Sequence, residues 1–476
     1  MEKNISLSIL KLKNEEIPVF LKQYKKVIKK IEESKINVPK FNNIVHFDVM
    51  DAKFVPNIGV DLKYIKTAKN LGFYIDTHLM VANPIGDKYV EKAIEYGTDD
   101  VTIHYEIENF ESVLNYLNER KAILKKDFNR DLIIGVSIKP NTELSIVEKY
   151  KDKFSKLLIM SVEPGLGGQK YIQSSTEKII QAKKMFKNHI IQVDGGINFN
   201  TIKDVINVGV DSIVMGSYLT DEYNTSLYDK LLELNILKAI EELPKKRNID
   251  FDLKLLQIVK NGYGEGDLLV GIAVPDIRNL ANKWYKYIDY CILNKFISSK
   301  YHEYRQFACI CMSYMMKKNL TLNNEALKKE KSINLLSFFE SKLDYINNWD
   351  LTDEISPNVL GNYLLLLSDK EAKVFLKKYI ESSNFWVRRI GVVSCLAFAR
   401  KGYKDIPLYV CSKLLYDEEL LINKAVGWVL REVYKKHPKE IIDFLKENNK
   451  SKKIPRFVMS YATEKMTKEE KDIVKK

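Results

Sequence analysis

Hydrophobic residues in the first half of the chain gather in short runs that alternate with helix-like segments. Each run is almost continuously apolar, which is typical of a parallel strand that is covered on both faces. Eight such runs, each followed by a helical segment, predict an α/β TIM (β/α)8 barrel. The runs are residues 6–10, 44–50, 73–81, 99–105, 132–138, 156–162, 190–195 and 212–217.

The pattern changes at the stretch EELPKKRNID, residues 241–250, where a proline and a basic cluster interrupt it. Beyond this stretch, apolar residues recur at spacings of three and four with short polar connections, as in amphipathic helices. We therefore predict a barrel domain at 1–240, a linker at 241–250 and an all-α HEAT-like helical repeat domain at 251–476. A globular helical bundle is the alternative for the last domain.

The charge balance also separates the two halves. Residues 1–244 contain 34 Lys and Arg against 34 Asp and Glu, whereas residues 245–476 contain 42 against 29. The whole net charge of +13 therefore belongs to the second half. A basic domain is a candidate for a polyanionic partner, although lysine is abundant along the whole chain.

Several classes of protein are disfavoured by the sequence. No apolar run approaches the roughly 20 residues that cross a bilayer, and the opening residues lack the features of a signal peptide. We therefore expect a cytoplasmic protein with no membrane partner. The five cysteines form no CxxC pair and lie in helix-like apolar stretches, which predicts reduced core thiols instead of disulfides or a zinc ribbon.

Polar side chains lie at the ends of three of the predicted strands. The second strand carries His46 and Asp48, two residues apart and hence on one face, and is followed by Asp51. The third strand ends with His78, and the seventh ends with Asp194. A barrel delivers such side chains to one place, and two imidazoles with two carboxylates form a ligand set for a divalent metal. A structural ion pair with core histidines is the alternative.

The first half resembles the ribulose-phosphate 3-epimerase family in motifs that follow one another in order across residues 5–220. The motifs are Ser8 in LSIL, VHFDVMD (45–51), FVPN (54–57), THLMV (77–81), MSVEPGLGGQ (160–169), VDGG (193–196) and GS (216–217). One departure is Leu7, where the family usually has proline. The resemblance implies interconversion of D-ribulose 5-phosphate and D-xylulose 5-phosphate in the pentose phosphate pathway. A hexulose phosphate is the alternative substrate.

The resemblance also implies the roles of individual residues. Asp48 and Asp194 would be the two acid/base groups, and with His46 and His78 they would bind one divalent metal. Zn²⁺ or Fe²⁺ is expected first, with Mn²⁺ and Co²⁺ as alternatives.

Further positions would contact the substrate. Methionines would shield the intermediate, and backbone N–H groups after the seventh and eighth strands would bind the phosphate. These substrate-binding residues would be Ser8, Met50, Met80, Met160, Gly165, Gly167, Gly168, Gly195, Gly196, Gly216 and Ser217. His104, at the end of the fourth strand, is equally consistent with a pocket residue and with a structural histidine.

The second half places aromatic, acidic and basic residues at helical spacing. Trp349 and Asp353 are four residues apart, and Lys424 and Trp428 likewise share one helix face. The alternative interpretation is that the tryptophans belong to the core and that the arginines nearby form salt bridges.

Together these stretches resemble the HEAT-like DNA alkylation-repair glycosylases across residues 265–465. The matching pieces are GIAVPDIRNLA (271–281), HEYRQFA (302–308), NWDLTD (348–353), FWVRRIG (385–391), NKAVGWVLRE (423–432) and SYATEK (460–465). The resemblance implies excision of N3- or N7-alkylated purines from double-stranded DNA, without a snug pocket for the base.

By motif position, Asp353 would be the catalytic carboxylate, and Trp349 and Trp428 would flank the sugar of the lesion. Arg389 would contact a phosphate. Arg388 and Lys424 are further candidates for DNA contact, but adjacent residues point about 100° apart on a helix, so only one of the two arginines faces the DNA.

We therefore predict a bifunctional fusion of an epimerase and a DNA glycosylase. In the alternative, the helical half is a non-catalytic module that binds DNA or protein. A homo-oligomer is left open by the sequence.

Overall fold

The computed structural model describes residues 4–33, 43–221 and 226–475. The chain forms two compact units, Met1–Glu242 and Leu243–Lys476. Within the described ranges, no helix has both the length and the apolar character that a bilayer span requires.

The first unit is a closed barrel of eight parallel strands in sequential order. This architecture confirms the barrel prediction, and each strand lies inside or within two residues of its predicted run. The strands are β1 (Asn4–Ser8), β2 (Ile44–Met50), β3 (Tyr74–Met80), β4 (Asp100–His104), β5 (Ile133–Ile138), β6 (Lys156–Met160), β7 (Ile190–Asp194) and β8 (Ser212–Met215).

Helices of this unit follow the strands. The first helix shows why they form: Ile17, Phe20, Tyr24, Ile28 and Ile31 recur at spacings of three and four, and all are buried. The helices are α1 (Ile17–Glu33), α2 (Tyr64–Asn70), α3 (Tyr89–Tyr96), α4 (Phe110–Phe128), α5 (Ser145–Glu148), α6 (Ser175–Met185), α7 (Ile202–Asn207), α8 (Ser217–Thr220) and α9 (Leu227–Glu241).

Strand register brings the predicted site residues to one level of the barrel. Ser8 on β1 pairs with His46 on β2, and Asp48 pairs with His78 on β3. On the other side, Asp194 on β7 pairs with Met160 on β6. The polar residues of separate strands are therefore neighbours at the carboxyl end of the barrel.

A buried ionic layer lies at the start of several strands. Asp76 and Asp100 pair across β3 and β4, and Lys156 on β6 places its Nζ 2.6 Å from the Oδ1 atom of each. Gln192 on β7 donates to the Oδ2 atom of Asp76 at 2.7 Å. Buried charges are tolerated when they are paired and hydrogen-bonded in this way.

The second unit is helical, and this confirms the all-α prediction. Side chains cap several helix starts: Asn324 accepts from the N–H of Leu327, and Ser368 forms a capping box with Glu371. The helices are α10 (Ile249–Leu255), α11 (Val274–Trp284), α12 (Tyr290–Ile297), α13 (His302–Leu320), α14 (Glu325–Glu340), α15 (Trp349–Ile355), α16 (Asn362–Leu364), α17 (Asp369–Ile380), α18 (Phe385–Ser394), α19 (Leu396–Lys401), α20 (Asp405–Leu414), α21 (Leu420–Tyr434), α22 (Pro438–Ser451), α23 (Arg456–Ala462) and α24 (Lys468–Lys475).

The stretch interpreted as a linker, residues 241–250, is more ordered than its polar sequence indicates. Helix α9 extends to Glu241, and α10 begins at Ile249. Between them, Lys245 forms a β-bridge with Ile272, and the guanidinium group of Arg247 binds Asp252. The partner of Lys245 is distant along the chain, so the sequence alone does not reveal this order.

The cysteines are free thiols. Cys309, Cys311, Cys395 and Cys411 are buried as predicted, whereas Cys291 is only half-buried on α12. Burial raises the pKa of the four core thiols, which keeps them protonated and unreactive.

Candidate active sites in the barrel and in the helical unit

The four predicted metal ligands meet at the carboxyl end of the barrel. His46, Asp48, His78 and Asp194 each offer one ligand atom, and these atoms lie within 4.8 Å of one another. The Nε2 atom of His46 is 3.3 Å from Oδ1 of Asp48 and 3.9 Å from Oδ2 of Asp194. Two imidazole nitrogens and two carboxylates at this spacing suit a single divalent cation.

His46 is oriented so that one ring nitrogen faces this cluster. Its Nδ1 atom lies 2.8 Å from Oδ2 of Asp76, whereas the buried Nε2 atom makes no hydrogen bond among the described residues. Burial lowers the pKa of His46, but the charges of Asp76 and Asp48 outweigh it and hold that pKa well above its usual value. The surroundings of Nε2 therefore attract positive charge, and this fits a metal ligand.

His78 contributes a neutral ring. Its Nδ1 atom lies 3.3 Å from Oδ1 of Asp48, on the cluster side. Burial lowers the pKa of His78 to about 4. The imidazole therefore carries no charge at neutral pH and keeps a lone pair for a cation.

The two carboxylates of the cluster differ in acidity. Burial, together with the charge of Asp48, raises the pKa of Asp194 to about 7. Burial also disfavours the charge of Asp48, but His46 and His78 reverse that effect and hold its pKa below the usual range. Ser8 supports the ionised form by donating its hydroxyl to Oδ2 of Asp48 at 2.7 Å. Without a metal, one carboxyl group is protonated near neutral pH while the other is charged.

A cavity opens directly above this pair of carboxylates. Its walls include Asp48, Asp194 and every position for which substrate contact is predicted. These positions are Ser8, Met50, Met80, Met160, Gly165, Gly167, Gly168, Gly195, Gly196, Gly216 and Ser217. His46 and His78 are fully buried beneath it.

Two glycines at the end of β7 are required by the backbone. Gly195 and Gly196 have φ angles of 118° and 67°, a region that side chains disfavour. A Cβ atom on Gly196 would lie 2.2 Å from the backbone nitrogen of Tyr171. The close approach of the loop after β6 to the end of β7 therefore depends on glycine.

Several residues around the site escape the sequence analysis. Asp76 and Glu106 lie behind the histidines, and Lys11 is the only lysine or arginine among the described residues that line the cavity. In a lysine-rich sequence, a single lysine after a strand cannot be recognised as a site residue. Asp51, in contrast, lies outside the cluster. Its carboxylate accepts hydrogen bonds from backbone N–H groups, including that of Ala82 at 2.8 Å.

His104 extends the histidine cluster away from the cavity. Its Nε2 atom lies 3.0 Å from Nε2 of His78, and its Nδ1 atom lies 2.9 Å from Oε2 of Glu106. The ring is fully buried and packs against Phe54, with ring centroids 4.8 Å apart. His104 is therefore absent from the cavity wall, and it contacts a proposed ligand from behind.

In the helical unit, the predicted catalytic carboxylate is paired with an arginine. The Nη2 atom of Arg389 lies 2.8 Å and 2.9 Å from the two carboxylate oxygens of Asp353. Burial raises the pKa of Asp353, and the charge of Arg389 opposes that effect. The result is a largely buried, two-pronged ion pair between α15 and α18.

The aromatic residues lie on the helices that Arg389 connects. Arg389 also donates to the carbonyl of Leu421 on α21, and Leu421 and Trp428 share a face because they are seven residues apart. Trp349 is four residues before Asp353 on α15, and both tryptophans are half-buried. The Asp353–Arg389 pair is thus held between the helices that carry Trp349 and Trp428.

The neighbouring basic residues have different surroundings. Arg388 is 2.8 Å from Oδ2 of Asp417 and donates to the carbonyl of Ser382. Lys424 lies over the exposed ring of Phe457, 5.6 Å from its centroid. Arg388 and Arg389 therefore point to separate partners, and only Arg389 reaches Asp353.

Comparisons with known proteins divide the chain in the same way. Residues 18–220 match the ribulose-phosphate 3-epimerase family, and residues 241–466 match the family described as DNA alkylation repair enzyme.

Individual relatives cover one half of the chain at a time. A ribulose-phosphate 3-epimerase of Aquifex aeolicus is 35% identical over 203 residues, which are 42% of this chain and 86% of that protein. One of Bacillus subtilis is 32% identical over 179 residues, 36% of this chain and 77% of that protein. A solved structure titled a predicted DNA alkylation repair enzyme from Enterococcus faecalis is 18% identical, with a TM-score of 0.37 and coverage of 48% of this chain and 99% of that one. Through its first half, this chain belongs to the ribulose-phosphate 3-epimerase family, and its second half is a DNA alkylation repair-like domain.

Proposed function

We propose that the barrel catalyses metal-dependent epimerisation at C3 of D-ribulose 5-phosphate to give D-xylulose 5-phosphate. The observation that carries the proposal is the meeting of Asp48 and Asp194 at the floor of one cavity, with His46 and His78 beneath them. Membership of the epimerase family supports the substrate.

The chemistry requires a proton to leave a carbon next to a ketone and to return on the opposite side. His46, Asp48, His78 and Asp194 would hold a divalent cation, which would stabilise the negative charge that develops on the substrate when the proton leaves. One carboxylate must accept the proton while another carboxyl group donates one. Asp48 and Asp194 both line the cavity and are the two carboxyl groups proposed for these roles.

The other walls of the cavity keep the reaction selective. Met50, Met80 and Met160 line it and are almost fully buried, so they exclude water and offer no proton. Gly196 and Gly216 also line the cavity, where their backbone N–H groups can bind a phosphate. The phosphate then fixes the orientation of the sugar above the two carboxylates.

The first test is an epimerisation assay with the purified full-length chain. Ribulose 5-phosphate should be converted in the presence of a divalent cation, with exchange of solvent deuterium into C3. Asp194→Asn should abolish both, whereas Asp127→Asn, which changes an exposed carboxylate on α4, should leave them unchanged. Faster conversion of a hexulose phosphate would assign the barrel to the alternative substrate.

For the helical unit we propose excision of cationic N3- or N7-alkylated purines from double-stranded DNA. The observation that carries it is the Asp353–Arg389 pair, which links the helix of Trp349 to α18, with Arg389 also bonded to the helix of Trp428. An alkylated purine is already a good leaving group, so the enzyme must mainly stabilise positive charge on the sugar. A carboxylate and two indole faces suit that task.

Binding of DNA in this proposal depends on basic residues. The excess of 42 Lys and Arg over 29 Asp and Glu lies in this half of the sequence, so affinity should fall steeply with salt. Lys424 and Arg389 are the proposed contacts. Arg389 is preferred to Arg388 because it lies beside the proposed catalytic carboxylate of Asp353, whereas Arg388 pairs with Asp417.

The second test measures release of 7-methylguanine or 3-methyladenine from methylated DNA. The wild-type chain should release them, Asp353→Asn should not, and Asp344→Asn, at an exposed position, should behave as wild type. DNA binding without release by the wild-type chain would instead support a non-catalytic DNA-binding module.

A further inference from the structure

The predicted metal ligand His78 is part of a longer chain of polar groups. Beyond the cluster, its Nε2 atom lies 3.0 Å from Nε2 of His104, and Nδ1 of His104 lies 2.9 Å from Oε2 of Glu106. The rings of His78 and His104 stack with centroids 5.0 Å apart and an angle of 28° between their planes. Two ring nitrogens at this distance must share one hydrogen. Which of the two rings donates it follows from the hydrogen bonds of Glu106, at the other end of the chain of polar groups.

Glu106 is fixed as a hydrogen-bond acceptor. Its Oε1 atom receives the backbone N–H of Lys139 at 2.7 Å and the hydroxyl of Thr142, both in the loop after β5. The other oxygen faces Nδ1 of His104, so this nitrogen carries the hydrogen and donates it. A neutral imidazole has one such hydrogen, and Nε2 of His104 must therefore be an acceptor.

The position of the hydrogen on His78 follows from the same rule of one hydrogen per neutral imidazole. Because Nε2 of His104 accepts, Nε2 of His78 carries the hydrogen between the two rings. Nδ1 of His78 is then bare, and this is the atom that lies 3.3 Å from Oδ1 of Asp48 at the cluster. A bare nitrogen facing the cluster is what coordination of a cation requires.

Burial protects this arrangement. His78 and His104 are both fully buried, and the ring of Phe54 covers His104. Bulk solvent therefore does not reach either ring, and Nδ1 of His104 makes its hydrogen bond with Glu106. The ring of His46 is also held by a carboxylate, but directly and without a second histidine, since its Nδ1 atom lies 2.8 Å from Asp76.

We infer that His104 and Glu106 are positioning residues that fix the tautomer and orientation of His78 and thereby strengthen binding of the divalent cation. The inference rests on the proposed metal-dependent function. Loss of a supporting partner of this kind typically weakens metal affinity about 10- to 100-fold. Neither residue lines the cavity, so their effect on the sugar is indirect.

The experiment compares the full-length wild-type chain with Glu106→Gln and His104→Phe. Dissociation constants for Zn²⁺ and Co²⁺ are measured against a competing chelator, and the visible spectrum of bound Co²⁺ reports the ligand geometry. Both variants should bind about 10- to 100-fold more weakly and shift the Co²⁺ bands. Glu108→Gln, at an exposed position in the same loop, is the matched control and should match wild type.

A second readout needs no metal. In chelated protein labelled with ¹⁵N-histidine, long-range ¹H–¹⁵N spectra show which nitrogen of each of the six histidines carries the hydrogen. Wild-type His78 should be protonated at Nε2, and Glu106→Gln should give a mixture of tautomers. This readout stays informative if His104→Phe fails to fold.

The outcomes are separable. Unchanged dissociation constants and an unchanged His78 tautomer in Glu106→Gln would overturn the inference while leaving the metal site intact. A wild-type chain that binds no divalent cation would overturn the proposed metal-dependent function, and this inference with it.

Discussion

The two candidate active sites both depend on buried aspartates, but they balance charge in different ways. Among the described residues, no lysine or arginine pairs with Asp48 or Asp194 in the barrel, and their ion-pair partners are His46 and His78. In the helical unit, Arg389 binds both oxygens of Asp353. A buried carboxylate needs a counter-charge. In the proposed metal site of the barrel, a divalent cation would supply this counter-charge, whereas in the helical unit Arg389 supplies it.

This difference predicts opposite responses to a chelator. Removing divalent cations should lower epimerisation about 1000-fold or more, because both the acid/base geometry and the charge stabilisation depend on them. Release of alkylated purines by the same sample should be unchanged. The measurement is a pair of assays on one chelated preparation, with the cation added back to restore the first activity. Equal loss of both activities would contradict the comparison.

Breaking the internal ion pair should destabilise the helical unit. Arg389→Met leaves the largely buried Asp353 without its charged partner, and removing one partner of a buried ion pair typically costs about 3–5 kcal/mol. All four tryptophans lie beyond residue 243, so intrinsic tryptophan fluorescence during urea unfolding of the full chain follows this unit alone.

The matched control for that experiment removes both charges. Combining Arg389→Met with Asp353→Asn should recover much of the lost free energy of unfolding, since no unpaired charge remains. A double variant that is no more stable than Arg389→Met would show that the arginine acts through packing and not through charge.

A smaller effect should appear in the pH dependence of the same unit. His302 on α13 lies 2.8 Å from Oδ2 of Asp350 on α15, and Asp267 is also near. Burial lowers the pKa of His302, but the charge and hydrogen bond of Asp350, together with the nearby carboxylate of Asp267, raise it to about 9. Since this pKa is above the unfolded value of about 6.5, the protonated ring stabilises the fold.

The sign of that linkage gives the expected result. The stabilisation, on the order of 3 kcal/mol, is fully present below about pH 6.5 and is lost as the pH rises through about 9. Urea unfolding at pH 6 and pH 10, followed by tryptophan fluorescence, measures it. His302→Asn should remove most of the difference between the two pH values, and an equally large difference in that variant would rule out His302 as its source.

The smallest predicted effect concerns charge at the cavity mouth. Lys11 is the only lysine or arginine among the described residues of the cavity wall, and its side chain lies against Gly167 and Gly168. Lys11→Gln should raise KM for the phosphorylated substrate severalfold with little change in kcat, because an exposed charge attracts the phosphate only weakly. Lys13→Gln is the matched control, and equal effects of both variants would assign no specific role to Lys11.

The fold could be predicted because the apolar strand runs of the first half and the helical spacing of the second half are both local patterns. Eight apolar runs and the spacing of three and four in the second half define the strands and helices without any knowledge of distant contacts. The convergence of His46, Asp48, His78 and Asp194 was also predictable, since carboxyl ends of parallel strands meet at one end of a barrel. Glycines of the cavity wall were found through motifs, while the φ angles that require glycine at Gly195 and Gly196 come from the structure.

What the sequence by itself determined is therefore the two folds, their order and the set of polar residues at the strand ends. Only the tertiary structure decided the partners of those residues. Asp76 behind His46, Glu106 behind His104 and the choice of Arg389 over Arg388 for Asp353 all depend on register and helix packing. The physical reason is that periodicity fixes which face a side chain occupies, whereas a hydrogen bond requires atoms about 3 Å apart from segments that are distant in sequence.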